Sequence, residues 1–121
     1  MKESIVAKKS VDFAILMIQT YKMLCDEKKE FVLSKQLLKS GTSIGAQIRE
    51  AEHAQSRADF LHKMNIALKE ANETGYWLLL LKEGKYLSEE QYTQLTFFAT
   101  ELIRLLASIV KTTKGRLRIE N

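Results

Sequence analysis

The sequence predicts an all-α fold, an up-down-up-down antiparallel four-helix bundle, on three observations. Its 121 residues contain no proline and only five glycines, so few positions forbid helix. Apolar residues recur at steps of three and four along most of the chain, the spacing of one helix face, and no alternating strand pattern competes. Two capping boxes, a charged loop and a glycine stop divide the chain into four stretches, and short connections make antiparallel neighbours the economical packing. At 13.9 kDa, with 45% apolar and 28% charged residues, the chain has the composition and size of one globular domain, residues 1–121.

Helix 1 is expected over about 4–26 with two apolar stripes, one of Val11, Ala14, Ile18, Tyr21 and Cys25, the other of Phe13, Met17 and Leu24. The charged run Asp26-Glu27-Lys28-Lys29-Glu30 is the connecting loop. Helix 2, about 35–54, starts at Ser34 as N-cap and runs its seam through Leu37, Gly41, Ile44, Ile48 and Ala51. Gly41 and Gly45 each cost about 1 kcal/mol against alanine in a helix interior, so their spacing implies a flat strip where another helix approaches closely. Helix 3, about 57–83, opens on the box Ser56-Arg57-Ala58-Asp59, carries Phe60, Met64, Ala67, Ala71, Gly75 and Leu78, and stops at a left-handed Gly84. Helix 4, about 89–113, opens on Ser88-Glu89-Glu90-Gln91 and presents Leu95, Phe98, Leu102, Leu105 and Ile109. The tail 114–121 is expected to fray beyond Gly115.

A bundle helix needs an apolar stripe a little wider than about 100°. The runs Phe13 to Ile18 and Tyr76 to Leu81 are apolar around the whole circumference, so a lone copy leaves part of them wet. Exposed patches of that kind mark contact surfaces. Phe13, Leu16, Met17, Tyr76, Trp77, Leu80 and Leu81 are the candidate contacts with further copies of the chain.

Composition also sets the expected setting. The single cysteine, Cys25, forms no internal disulfide and supplies no paired zinc ligands. The six-residue apolar runs fall short of the roughly 20 residues that cross a bilayer, and the charged first residues do not form a signal segment. These features predict a soluble protein of the reducing cytoplasm.

Chemistry-bearing constellations are weak. Glu50-x-x-His53 with Asp59-x-x-His62 has the spacing of a di-metal bundle, but each imidazole lies about 200° from the nearest core position, and facing carboxylates are missing. Cys25 sits beside Asp26 and Glu27 near a helix C-terminus, where the dipole disfavours a thiolate. Ser40, Thr42 and Ser43 have no histidine–acid pair beside them, and the glycines form no phosphate loop. No enzyme, metal or cofactor is expected.

Charge is the remaining signal. Residues 1–110 carry 15 basic and 14 acidic side chains, whereas 111–121 carry Lys111, Lys114, Arg116 and Arg118 against Glu120. That tail either caps a helix dipole or attracts a polyanion. Lys111, Lys114, Arg116 and Arg118 are therefore the candidate nucleic-acid contacts.

Finally, an ordered string of motifs stands out. Gln36 to Ala51 includes Ser43-Ile44-Gly45-Ala46; Asp59-Phe60 and Glu73-Thr74-Gly75-Tyr76-Trp77-Leu78 follow, then Gly84-Lys85-Tyr86-Leu87. Across about residues 4–113 this resembles the four-helix-bundle proteins of the 23S rRNA intervening-sequence family. Many relatives read Asn-Ile-Ala-Glu-Gly where this chain has Gln47-Ile48-Arg49-Glu50-Ala51, which adds a charge and removes a glycine. The resemblance implies a bacterial cytosolic homopentamer similar to the accessory variability determinant of diversity-generating retroelements, which works beside a reverse transcriptase and nucleic acid. It transfers no site residue. The expected function is a non-enzymatic oligomer binding RNA or DNA through basic side chains; the alternative is a scaffold for another protein.

Overall fold

In the computed structural model residues 4–120 are described; residues 1–3 and Asn121, which fall inside the predicted domain, lie outside the described residues. Four helices follow in order: α1 (Ile5–Asp26), α2 (Leu33–Glu52), α3 (Arg57–Glu83) and α4 (Glu89–Glu120). Each packs on its neighbours in sequence, α4 returns to α1, and among the described residues the diagonal pairs α1–α3 and α2–α4 bring no Cα atoms within 8 Å of each other. The result is the expected all-α bundle, closed most thinly between α1 and α4.

Helix starts are set by side-chain oxygens that satisfy the first backbone donors. Ser4 accepts from the Ala7 N–H at 3.2 Å, and Ser56 accepts from Asp59 N–H at 3.0 Å while the Asp59 carboxylate accepts from Gln55 N–H. Ser88 and Gln91 form the full reciprocal box, at 3.0 and 2.9 Å. The start of α2 differs from expectation: Ser34 lies inside the helix, and Glu30 does the capping from the loop. Its carboxylate accepts from the backbone N–H groups of Val32, Leu33 and Ser34 at 3.2, 3.0 and 2.7 Å. Glutamate reaches three donors from outside the helix, where a serine hydroxyl reaches one. Burial alone would raise the Glu30 pKa, but these donors, with the Ser34 hydroxyl, overcome it and hold the carboxyl below the usual glutamate range.

The α3 stop also differs. Gly84 has φ −76°, and the left-handed residue is Lys85, at φ 69°. Space rather than dihedral freedom keeps the glycine: a Cβ there would lie 3.1 Å from the Leu80 carbonyl and 3.3 Å from the Tyr86 ring.

Inside the bundle, α2 buries Leu37, Gly41, Ile44, Ile48 and Ala51, the seam its spacing predicts. Against it α1 turns only one of its two stripes. Val6, Ala7, Ser10, Phe13, Met17, Thr20 and Leu24 are buried, whereas Val11, Ile15 and Ile18 face outward. The two α2 glycines select that face. Built as alanine, Gly41 would place Cβ 2.7 Å from Met17 Sδ and closer still to its Cγ; Gly45 would place it 3.2 Å from Ser10 Oγ. Behind them the buried Thr74 hydroxyl, 2.7 Å from the Glu70 carbonyl and 2.9 Å from Ser40 Oγ, donates to the first and accepts from the second. That bond locks α3 to the same strip of α2.

In α4 the buried line is Leu95, Ala99, Leu102, Leu106, Val110 and Thr113, with Phe98, Leu105 and Ile109 half-buried beside it. The helix does not stop near 113. It runs to Glu120, because Val110, Thr113 and the half-buried Leu117 continue the inward face. Arg57 at the start of α3 pairs with Glu120 at its end. Gly115 has open space around it and no positive φ, so nothing there ends the helix.

Two stability outcomes follow. Gly41→Ala gains about 1 kcal/mol of helix propensity but drives a methyl into a fully buried Met17, a clash costing roughly 1–3 kcal/mol, so urea midpoints should fall. Gly75→Ala, with nothing within 4 Å, should raise them, through a gain in stability of up to about 1 kcal/mol. Separately, a carboxyl whose folded pKa is depressed contributes stability above its unfolded pKa and loses it as pH falls through the folded value. Glu30→Ala should therefore cost roughly 1–2 kcal/mol near neutrality, and the gap to wild type should close in acid, checked by urea titrations across pH.

Candidate functional site

Continuation of α4 through its last two turns gives the basic tail a geometry. At 100° per residue, Lys111, Lys114 and Arg118 fall on one outward stripe, and Arg104 lies on the same line two turns earlier; all four are exposed. Arg116 projects roughly 140° around the helix from Lys111, so the structure brings three of the four predicted cations together, adds Arg104, and leaves Arg116 apart. The signal that could have found Arg104 is its seven-residue step to Lys111 and the further seven to Arg118, once the helix is known to continue. The positions between are Ala107, Ser108 and Gly115, small residues that leave the cations standing proud. Among the described residues none of the four pairs with a carboxylate. Glu120, the tail's only acid, pairs with Arg57, and Glu101 pairs with Lys9 of α1 at 3.2 Å.

The predicted self-contact residues divide. Phe13, Met17 and Leu81 are 1%, 0% and 0% exposed, so they belong to the subunit's own core and present nothing to a second copy. For Phe13 and Met17 the reason is the Gly41–Met17 fit, which turns that stripe of α1 inward; Leu81 continues the buried line of Ala71, Thr74 and Leu78 on α3. Leu16, Trp77 and Leu80 are half-buried, and Tyr76 is exposed, its ring 5.2 Å from that of Trp77. Among the described residues the large apolar groups that face outward are Ile5, Val11, Ile15 and Ile18 on α1, Phe31 and Val32 just before α2, Tyr76 and Leu79 on α3, and Phe97 and Ile119 on α4. On sequence, Val11 and Ile18 form one of two apolar stripes of α1 with nothing to say which is inward, and Phe97 is not singled out. An all-round apolar helix carries no internal mark of which stripe its neighbour takes.

Along the thin α1–α4 seam lie two open clefts. One, of about 400 Å³, is lined by Phe13, Ile15, Leu16, Phe98 and Leu102 with Lys9 and Glu101 at its rim. The other, of about 220 Å³, lies between Leu16, Thr20 and Met23 of α1 and Gln91, Gln94 and Leu95 of α4. Neither brings a nucleophile, base and acid together.

His53 and His62 are exposed, and among the described residues no three His, Cys, Asp or Glu side chains converge. Cys25 is half-buried with its sulfur 3.9 Å from Ser34 Oγ; its hydrogen bond and charge push the Tyr21 phenol upward. The hydrogen bond to Glu89 holds the Lys82 ammonium above its ordinary range against the opposing effect of burial. That ammonium stands 3.3 Å from Glu89, 3.6 Å from Glu83 and 4.9 Å from the centre of the Tyr92 ring. It is a fastening of the α3–α4 corner. Burial, then the charge of Glu73, raises the Glu70 pKa, with Lys39 acting against both.

The class that these elements define is an all-α four-helix bundle. The chain belongs to the 23S rRNA-intervening sequence protein family, whose model matches residues 2–108. It is similar to a crystallised protein of unknown function from the S23 ribosomal protein family of Bacteroides thetaiotaomicron, at 59% identity and a TM-score of 0.87, covering 88% of this chain and 99% of that one. No curated protein matches. Lys111, Lys114, Arg116 and Arg118 lie beyond the stretch that matches the family.

Proposed function

We propose that this protein is a non-enzymatic, self-assembling bundle that binds the phosphate backbone of RNA or DNA along α4. The observation that carries the reading is the alignment of Arg104, Lys111, Lys114 and Arg118 on one exposed stripe of a continuous helix. From Arg104 to Arg118 is 14 residues, about 21 Å of helix, and sequence-independent phosphate binding needs only such a row of cations. Base-specific reading in a groove has no counterpart here.

Self-assembly rests on the outward apolar groups. Val11, Ile15 and Ile18 lie on α1, and Tyr76 and Leu79 on α3, two helices at diagonal corners of the bundle. Two different patches on opposite corners suit a head-to-tail contact, which closes into a ring. The family resemblance supplies five as the number of copies, and a ring of five would repeat the α4 stripe five times.

Fluorescence anisotropy with labelled RNA, single-stranded DNA and duplex DNA at about 50 and 200 mM salt tests the binding. Changing Arg104, Lys111, Lys114 and Arg118 together to Gln should flatten the logarithmic salt slope by roughly three units for single strands, whereas Arg116→Gln alone should change it little. Absence of wild-type binding at low salt would leave the protein-scaffold reading in its place. For assembly, Ile15→Asp combined with Ile18→Asp should convert the sedimenting species to the 13.9 kDa subunit; a wild type that already sediments at that mass would overturn it.

A further inference from the structure

Upstream of its four cations, the α4 stripe carries an aromatic ring that the bundle does not use. Phe97 is 65% exposed and lies seven residues, about 10.5 Å, before Arg104 on the same face. Its ring centroid lies 5.4 Å from that of Phe98, with the two planes at 83°, an edge contact that leaves most of Phe97 open to solvent. Around it is an open recess of about 710 Å³ whose lining includes Tyr92, Thr93, Thr96, Thr100 and Arg104. Thr96 Oγ1, on that lining, is buried with no protein partner.

We infer that this recess is a base-stacking platform, with Phe97 taking an unpaired nucleobase while Arg104 and the cations beyond it hold the following phosphates of a single strand. The inference rests on the phosphate-binding reading of α4 and deepens it by naming the form of nucleic acid. The electrostatics favour this occupant over an apolar peptide. The stripe from Thr93 through Phe97, Thr100, Arg104, Ala107, Lys111 and Lys114 to Arg118 contains no acid; Glu101, which also lines the recess, is paired with Lys9, and Glu90 stands on the upstream flank, about 10.5 Å before Phe97. Duplex bases are already stacked on one another and offer Phe97 no open face; a single strand does. From Phe97 to Arg118 is 21 residues, about 31 Å, a length that several nucleotides of an extended single strand would span, in keeping with the range of about 4–16 for sequence-tolerant single-strand sites.

The test uses the full chain, an oligonucleotide of about 15 nucleotides carrying 2-aminopurine, and a duplex of the same sequence. Wild-type protein should quench the 2-aminopurine on binding. Phe97→Ala and Phe97→Leu should each weaken single-strand binding roughly tenfold, abolish the quenching and leave duplex binding unchanged, while Phe97→Trp should restore both. The leucine variant matters because an apolar contact tolerates it and a stacking contact does not. Retained single-strand affinity in Phe97→Ala overturns the platform and leaves the phosphate stripe standing. So does an equal loss on both probes. A change in sedimentation confined to the Phe97 variants overturns it too, by assigning the ring to a contact between copies. Failure of wild-type protein to bind either probe overturns the stripe and the platform together.

Discussion

The approach of α1 to α2 at Gly41 and Gly45 is the constraint on which the rest of this structure depends. Met17, fully buried, occupies the notch left by a missing Cβ, and Ser10 occupies the next one a turn away. Interiors packed to crystal density tolerate little adjustment, so this fit fixes the rotation of α1 about its axis. Once Phe13, Met17 and Leu24 point inward, Val11, Ile15 and Ile18 have no choice but to face water. The outward apolar surface is thus a by-product of an inward fit.

This explains how much of the fold could be read from residues alone. The α2 seam, the two capping boxes and the helix count are local properties, and all are found where spacing and chemistry put them. Which stripe of α1 is buried depends on glycines in another helix, and its own periodicity is silent about that. Glu30 escaped notice as a cap because charged loop residues look alike until their reach to three backbone donors is visible. By residue type Gly84 is a left-handed stop and Gly115 the point where fraying begins. In the structure Gly84 has no positive φ and is retained for want of room, and Gly115 sits in open space inside a continuing helix.

For the candidate site, composition identified the charge but not its shape. A frayed tail would hold its cations at no fixed spacing. A helix continued by Val110, Thr113 and Leu117 holds them in line with Arg104 and Phe97, far apart in sequence yet on one face. Arg116, equal to its neighbours in composition, is separated from them by rotation alone. The same continuation carries the stripe past the portion of the chain that matches its family.

The uneven closure of the bundle bears on how the chain reaches it. Its three stronger interfaces join helices adjacent in sequence, and only the slender α1–α4 seam brings the two ends of the chain together. Such a polypeptide can zip up one hairpin at a time, with little entropy spent on distant loop closure before each step is rewarded. Its topology is that of a fast folder whose last act is to bring its first and final helices side by side.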